Sequence, residues 1–184
     1  MIDCQLIQKG DVILTSGKNC LIKIGNFLLG RWNALEWTHV GISLGGTQIV
    51  EALPDGICVN DLDDCYAKKD EEFLVLRHKG LSISESERIA DFCKDMKGDK
   101  YDSRALWYFF LSAVFPTSFG LLLNNRFAEW ILNVKNAYFC SELAASGFLS
   151  VGVSIAKREP WQTMPADFFN LKEFDLILKL EKDK

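Results

Sequence analysis

The clearest pattern in the chain lies at 39–44, where Val40, Ile42 and Leu44 interleave with His39, Gly41 and Ser43. That is the period of a β-strand with one buried face. Gly45-Gly46 follows, and Thr47-Gln48-Ile49-Val50-Glu51-Ala52 resumes an extended pattern, so 39–52 reads as a β-hairpin reversed at residues that accept positive φ. Its register has two solutions. With Gly45-Gly46 as a two-residue loop, Val40 faces Glu51 and the glutamate points to the side of the sheet opposite His39. With a three-residue loop of Gly45, Gly46 and Thr47, or with a bulge, Gly41 faces Glu51 and the glutamate lies diagonal to His39 on the same side.

Other segments carry shorter signals. Gly10-Asp11 is a turn into the strand Val12-Ile13-Leu14, and 57–59 and 73–77 are strands separated by an acidic, lysine-bearing stretch, 61–72, that reads as solvated loop. Residues 20–29 are apolar nearly all round, the pattern of a mostly buried helix weakened by Gly25. The clearest helix is 84–97, with Ser84 and Glu87 at capping-box spacing, Ile89, Phe92, Cys93 and Met96 on one face, and Gly98 as the stop. An apolar helix starts near Cys140, 147–158 reads as a connector, and Phe174, Leu176, Leu178 and Leu180 alternate as a last strand.

Residues 105–134 are the least ordinary part, dense in Trp and Phe and broken by Pro116 into what reads as two helices. The uninterrupted apolar part is shorter than the roughly 20 residues a membrane span needs. Two readings stand: a buried core, or a face that lines an apolar groove or contacts lipid.

Composition narrows the classes. At 184 residues the chain is expected to form one domain, 1–184, and 48% hydrophobic with 25% charged residues suits a packed globular core. A net charge of -4, with the basic residues scattered among acids, argues against nucleic acid as a partner. The opening Met1-Ile2-Asp3-Cys4-Gln5-Leu6 lacks the basic region and apolar core of a secretory signal, so the six cysteines are expected as free thiols in the cytoplasm. No CxxC pair occurs and only two histidines are present. Neither a metal site nor a cofactor is expected.

The candidate chemistry is nucleophilic. Cys140 falls at the first turn of its helix, where the partial positive charge of the N-terminus favours a thiolate. Such a nucleophile needs a base within reach and a third group to orient that base, and His39 and Glu51 are the residues the hairpin offers. His78, the other histidine, ends a strand without a glycine-flanked, glutamate-partnered setting.

Gly10-Asp11-Val12-Ile13-Leu14, Thr38-His39-Val40-Gly41-Ile42, Val50-Glu51-Ala52, Tyr101-Asp102 and Tyr138-Phe139-Cys140-Ser141-Glu142-Leu143 together resemble the successive motifs of the YiiX/YaeF-like permuted papain-fold hydrolases, relatives of the NlpC-type cysteine peptidases. The resemblance implies an α+β, circularly permuted papain-like fold in which a small antiparallel barrel-like sheet packs on helices. His39 precedes Cys140, the reverse of the common papain order, as permutation requires. It further implies Cys140, His39 and Glu51 as catalytic residues, and Tyr101 either as a donor to substrate or oxyanion or as a packed tyrosine. The implied activity is cleavage of an amide or ester through an acyl-enzyme, on a small molecule, peptide or cell-wall amide. An acyl lipid, with peripheral membrane contact through the aromatic run, is the rival substrate, and a noncatalytic ligand-binding domain is the rival class.

Overall fold

The described residues of the computed structural model are 5–16, 23, 32–66, 72–102 and 137–180. The chain enters its sheet at Gly10, where φ is 80° and a Cβ would stand 2.5 Å from the Ser86 carbonyl oxygen, so no side chain fits. Strand β1 (Val12–Thr15) follows, then β2 (His39–Gly45), β3 (Gln48–Leu53), β4 (Gly56–Asp61) and β5 (Phe73–His78). Two short strands, β6 (Lys100–Tyr101) and β7 (Ala137–Tyr138), pair parallel to each other, and β8 (Phe174–Leu180) ends the described chain. Among the described residues the α-helical elements that pack with this sheet are α1 (Leu62–Cys65), α2 (Ile83–Asp95), α3 (Cys140–Leu149) and α4 (Pro165–Asn170).

Six strands form one antiparallel sheet in the order β4-β3-β2-β1-β5-β8. The architecture is α+β, as the motif resemblance implies. The sheet is open, however, with β4 and β8 as its two edges, and the expected barrel-like closure is absent among the described residues.

Alternation sorts the strand residues between two cores. Val12, Leu14, Val40, Ile42, Val50, Ala52, Leu74 and Leu76 pack against α2 and α3 through Ile89, Cys93, Leu143, Ala144 and Phe148. On the other face Ile7, Ile13, Ile49, Phe73 and Val75 pack with Leu62 and Tyr66. Burying apolar surface on both sides stabilises by about 25 cal/mol for each Å² removed from water, which is why central β1 carries no exposed side chain.

Three boundaries differ from the sequence expectation. The capping box is Ser82 with Glu85, two residues before the Ser84–Glu87 pair: Ser82 N–H donates to Glu85 Oε2 (2.8 Å) and Glu85 N–H to Ser82 Oγ (3.3 Å). Both pairs have the same spacing, and the one next to the start of the strand-to-helix turn caps. Residues 61–66 are not a solvated loop, since Asp61 caps α1 and Tyr66 is buried. The α3 helix runs on to Leu149, so the connector begins after it.

In β8 the alternation is interrupted. Val75 pairs with Leu178 and Leu76 with Leu176, which leaves Ile177 as an extra residue. This bulge puts Phe174 in the helix-side core and Leu178 and Leu180 against the other, while Leu176 is 57% exposed. The expected helices at 20–29 and 105–134 lie outside the described residues. No helix among the described residues is long and apolar enough to cross a membrane.

Candidate active site

The hairpin takes the second of its two registers. Gly41 pairs with Glu51, Ile42 with Val50 and Ser43 with Ile49, after which the register shifts so that Gly45 pairs with Gln48 and Leu44 is the bulged residue. Gly45 and Gly46 carry φ of 97° and 62°, and Ser43 Oγ accepts the Gly45 N–H (3.0 Å) inside the bulge. One extra residue on β2 therefore decides which face Glu51 takes. It brings the carboxylate onto the side of His39, whose Nε2 lies 2.6 Å from Glu51 Oε2.

At the start of β2, His39 also reaches the beginning of α3, which packs on the opposite face of the sheet. Cys140 is the neighbour whose electrostatic interaction most raises the pKa of the His39 ring. With Nε2 engaged by Glu51, Nδ1 is the nitrogen left for the sulfur. Burial works against a charged ring at His39, but the negative charge and hydrogen bond of Cys140, with those of Glu51, outweigh it and push its pKa up to about 10. The structure thus brings Cys140, His39 and Glu51 together, with the imidazole between the carboxylate and the sulfur.

Cys140 is 2% exposed and opens α3, so its backbone N–H is one of the helix-start donors without an intrahelical acceptor. Phe139 N–H instead faces Glu142 Oε2 at 3.5 Å, so Glu142 points back to the helix start and away from the thiol. Ser141 Oγ donates to the Thr163 carbonyl (2.6 Å), anchoring this first turn to the chain after Pro160–Gln162.

Tyr101 arrives through the parallel pairing of β6 with β7, which sets it beside Tyr138, two residues before Cys140. Burial first, then the charge at Cys140 and at Asp102, push its phenol up, so it stays a protonated donor near the sulfur.

Two groups at the site were not singled out from the sequence. Asn60 Nδ2 donates to Glu51 Oε1 (2.8 Å), and the Tyr66 hydroxyl donates to Glu51 Oε2 (2.5 Å). Asn60 had a readable sign, because it occupies the same side of β4 as Cys58, the cross-strand partner of Glu51. Tyr66 follows an acidic run and had none.

His78 is placed elsewhere. Its Nδ1 accepts the Gly80 N–H (3.2 Å) and its ring packs against Phe174 and Phe148 at 5.2 and 5.9 Å between centroids. Burial pushes it down, with Glu173 opposing. Cys93 is core: its thiol meets the Leu143 carbonyl (3.6 Å), and burial pushes it up. Among the described residues no group of three or more His, Cys, Asp and Glu side chains has an arrangement that would hold a metal ion.

Fold and site together define an α+β protein with an open antiparallel sheet that holds an imidazole between a buried carboxylate and a thiol at a helix start. Its fold is shared with a solved protein described as metalloprotein YiiX from Escherichia coli O157:H7, DUF1105. The two are similar with a TM-score of 0.62 over 95% of this chain and 98% of that one, at 16% sequence identity. No protein-family model and no curated protein sequence matches the chain.

Proposed function

We propose that the protein is a cysteine-dependent hydrolase that cleaves an amide or ester bond through an acyl-enzyme. The observation that carries this reading is the His39 ring, held by Glu51 at 2.6 Å and near enough to Cys140 for that residue to raise its pKa. The Cys140 proton rests on His39 Nδ1, as the raised imidazole pKa favours, and the sulfur attacks the carbonyl carbon to form an S–C bond as the carbonyl electrons move to oxygen. The Cys140 N–H at the start of α3 and the Tyr101 hydroxyl are the donors for that oxyanion. Collapse breaks the C–N or C–O bond while His39 gives its proton to the leaving amine or alcohol. Water then attacks the thioester with His39 as base, releasing the acid and regenerating the thiol.

The motif resemblance to YiiX/YaeF-like permuted hydrolases and the shared fold with YiiX support the same class. The order of His39 before Cys140 fits a permuted papain-like chain, since catalysis depends on where groups meet in space. A peptide or cell-wall amide is the substrate class this resemblance favours, with an acyl lipid as its rival. YiiX is described as a metalloprotein, whereas the donor set here suits a thiol–imidazole pair, so no step in this reaction is routed through a metal.

The test is peptide mapping after brief treatment with iodoacetamide, a small reagent suited to a thiol that is 2% exposed. Cys140 is expected to be the fastest-alkylated of the six thiols near neutral pH, because the thiolate is the reactive form. An inert Cys140 beside labelled Cys58 or Cys65, both more exposed, would remove the catalytic assignment.

A further inference from the structure

Glu51 is 0% exposed, and burial alone favours its protonated form. A protonated Glu51 would be a poor orienting group. Its O–H could donate to Nε2, which would move the ring proton to Nδ1 and leave nothing there to accept the thiol proton.

We propose, on the reading of Cys140 as a nucleophile, that Tyr66 and Asn60 are positioning residues that hold Glu51 as a carboxylate and thereby keep His39 with Nε2 as donor and Nδ1 open to Cys140. Three donors converge on the carboxylate: His39 Nε2 and the Tyr66 hydroxyl on Oε2, Asn60 Nδ2 on Oε1. An ionised carboxylate is acceptor-only and has sites for all three. The Asn60 amide is oriented by two neighbours at once, since Nδ2 also faces Cys58 Sγ at 3.3 Å, and a flipped amide would set oxygen against both.

The Tyr66 oxygen is held independently of the carboxylate. Buried Thr15 on β1 also acts on the hydroxyl of Tyr66, opposing the rise that burial and Glu51 impose. Its backbone is fixed by α1, which is tied to the tip of the β2–β3 hairpin: Thr47 Oγ1 donates to Asp61 Oδ2 (2.5 Å), Leu62 N–H to the Thr47 carbonyl (2.7 Å) and Tyr66 N–H to the Leu62 carbonyl (3.0 Å). Asp61 also accepts the Asp63 and Asp64 N–H groups at 2.9 and 3.3 Å, capping α1 so that the residue after it turns back beneath the sheet. The turn that sets the register of Glu51 therefore also aims Tyr66 at it.

Among the described residues the titratable groups around Glu51 are His39 from β2, Cys58 from β4 and Tyr66 after α1, with Cys65 beside Cys58 and Tyr66 and with Cys140 beyond His39. Against burial, His39, Asn60 and Tyr66 hold the carboxyl below its ordinary range. Removing either neutral donor raises it. The loss appears on the acid side, where Glu51 takes up a proton, and leaves the alkaline side, where His39 loses one, in place.

The experiment follows the side-chain carboxyl ¹³C shift of Glu51 against pH in the full chain, with iodoacetamide alkylation of Cys140 measured on the same samples. In Tyr66→Phe and in Asn60→Leu the Glu51 midpoint is expected to rise by about one pH unit or more, a tenfold change in its protonation equilibrium. The acid limb of Cys140 alkylation moves up with it, and the alkaline limb stays. A folded variant with an unmoved Glu51 midpoint overturns the proposal, even if its melting temperature falls, because that is the result of a purely structural role. Should Tyr66→Phe fail to fold, Asn60→Leu carries the same decision. A shifted Glu51 midpoint in a protein whose wild-type Cys140 is inert supports this inference and overturns the hydrolase reading.

Discussion

His39 and His78 stand at opposite ends of the same sheet, since Thr15 pairs with both His39 and Phe73 while His78 ends β5 at the far side. Both rings are partly buried, yet their chemistry diverges. His39 is 16% exposed, lies between an anionic carboxylate and a thiol, and is pushed up to about 10. His78 packs edge-on against Phe174, accepts the Gly80 N–H, and is pushed down by burial. Desolvation disfavours the charged ring in both cases, so the partners decide the outcome.

Two buried glutamates repeat the contrast. Glu51 has three side-chain donors and is held low, whereas Glu142 has one long contact from the Phe139 N–H and is pushed up to about 8, by burial first and by the neighbouring Asp102 charge. Partners supplied by the fold turn the same residue type into a charged group in one place and a neutral one in another.

The largest expected effect separates the two histidines. Replacing His39 by Ala should slow Cys140 alkylation at pH 7 by about 10²-fold or more, the scale of a lost base and charge partner. His78→Gln should leave the rate within about twofold. Stopped alkylation with peptide mapping reads both, and comparable losses in the two variants would erase the distinction.

The His78 neighbourhood should respond in stability instead. Phe148 is fully buried and packs against His78, Phe168 and Phe174. Phe148→Ala is expected to cost about 3–5 kcal/mol in urea unfolding, while the folded fraction alkylates at the wild-type rate. A large change in Cys140 reactivity at constant folded fraction would couple the two ends of α3.

Glu142 gives the smallest effect and the clearest sign. Its folded pKa is raised, so between about 4.5 and 8 the folded state keeps a proton the unfolded chain has released, and its contribution to stability falls as pH rises. Glu142→Gln should remove that slope and gain on the order of a few kcal/mol at pH 8 to 9 relative to pH 4. Glu51 runs the other way: its lowered pKa contributes stability above the ordinary carboxylate range that is lost as pH falls. Thermal melts of Glu142→Gln at the two pH values check the difference, and an unchanged slope would mean that Glu142 is ionised in the fold.

Strand alternation and the two glycines were enough to read the β2–β3 hairpin, because period-2 burial is a local property of a few residues, whereas the helix start only made Cys140 a candidate and the motif resemblance singled it out. The same locality explains the misplacement of the α2 cap by two residues, where Ser82–Glu85 and Ser84–Glu87 have equal spacing. The chain alone also narrowed Glu51 to two faces of the sheet. Only the Leu44 bulge chose between them, a backbone event set by pairing across β2 and β3. Tyr66 could not be read at all, since its role depends on a four-residue helix tied to a hairpin tip and on a carboxylate fifteen residues away. The sequence by itself determined which side chains could do the chemistry, while the tertiary structure decided their charge states, because burial and hydrogen-bond partners exist only once the strands and helices have met.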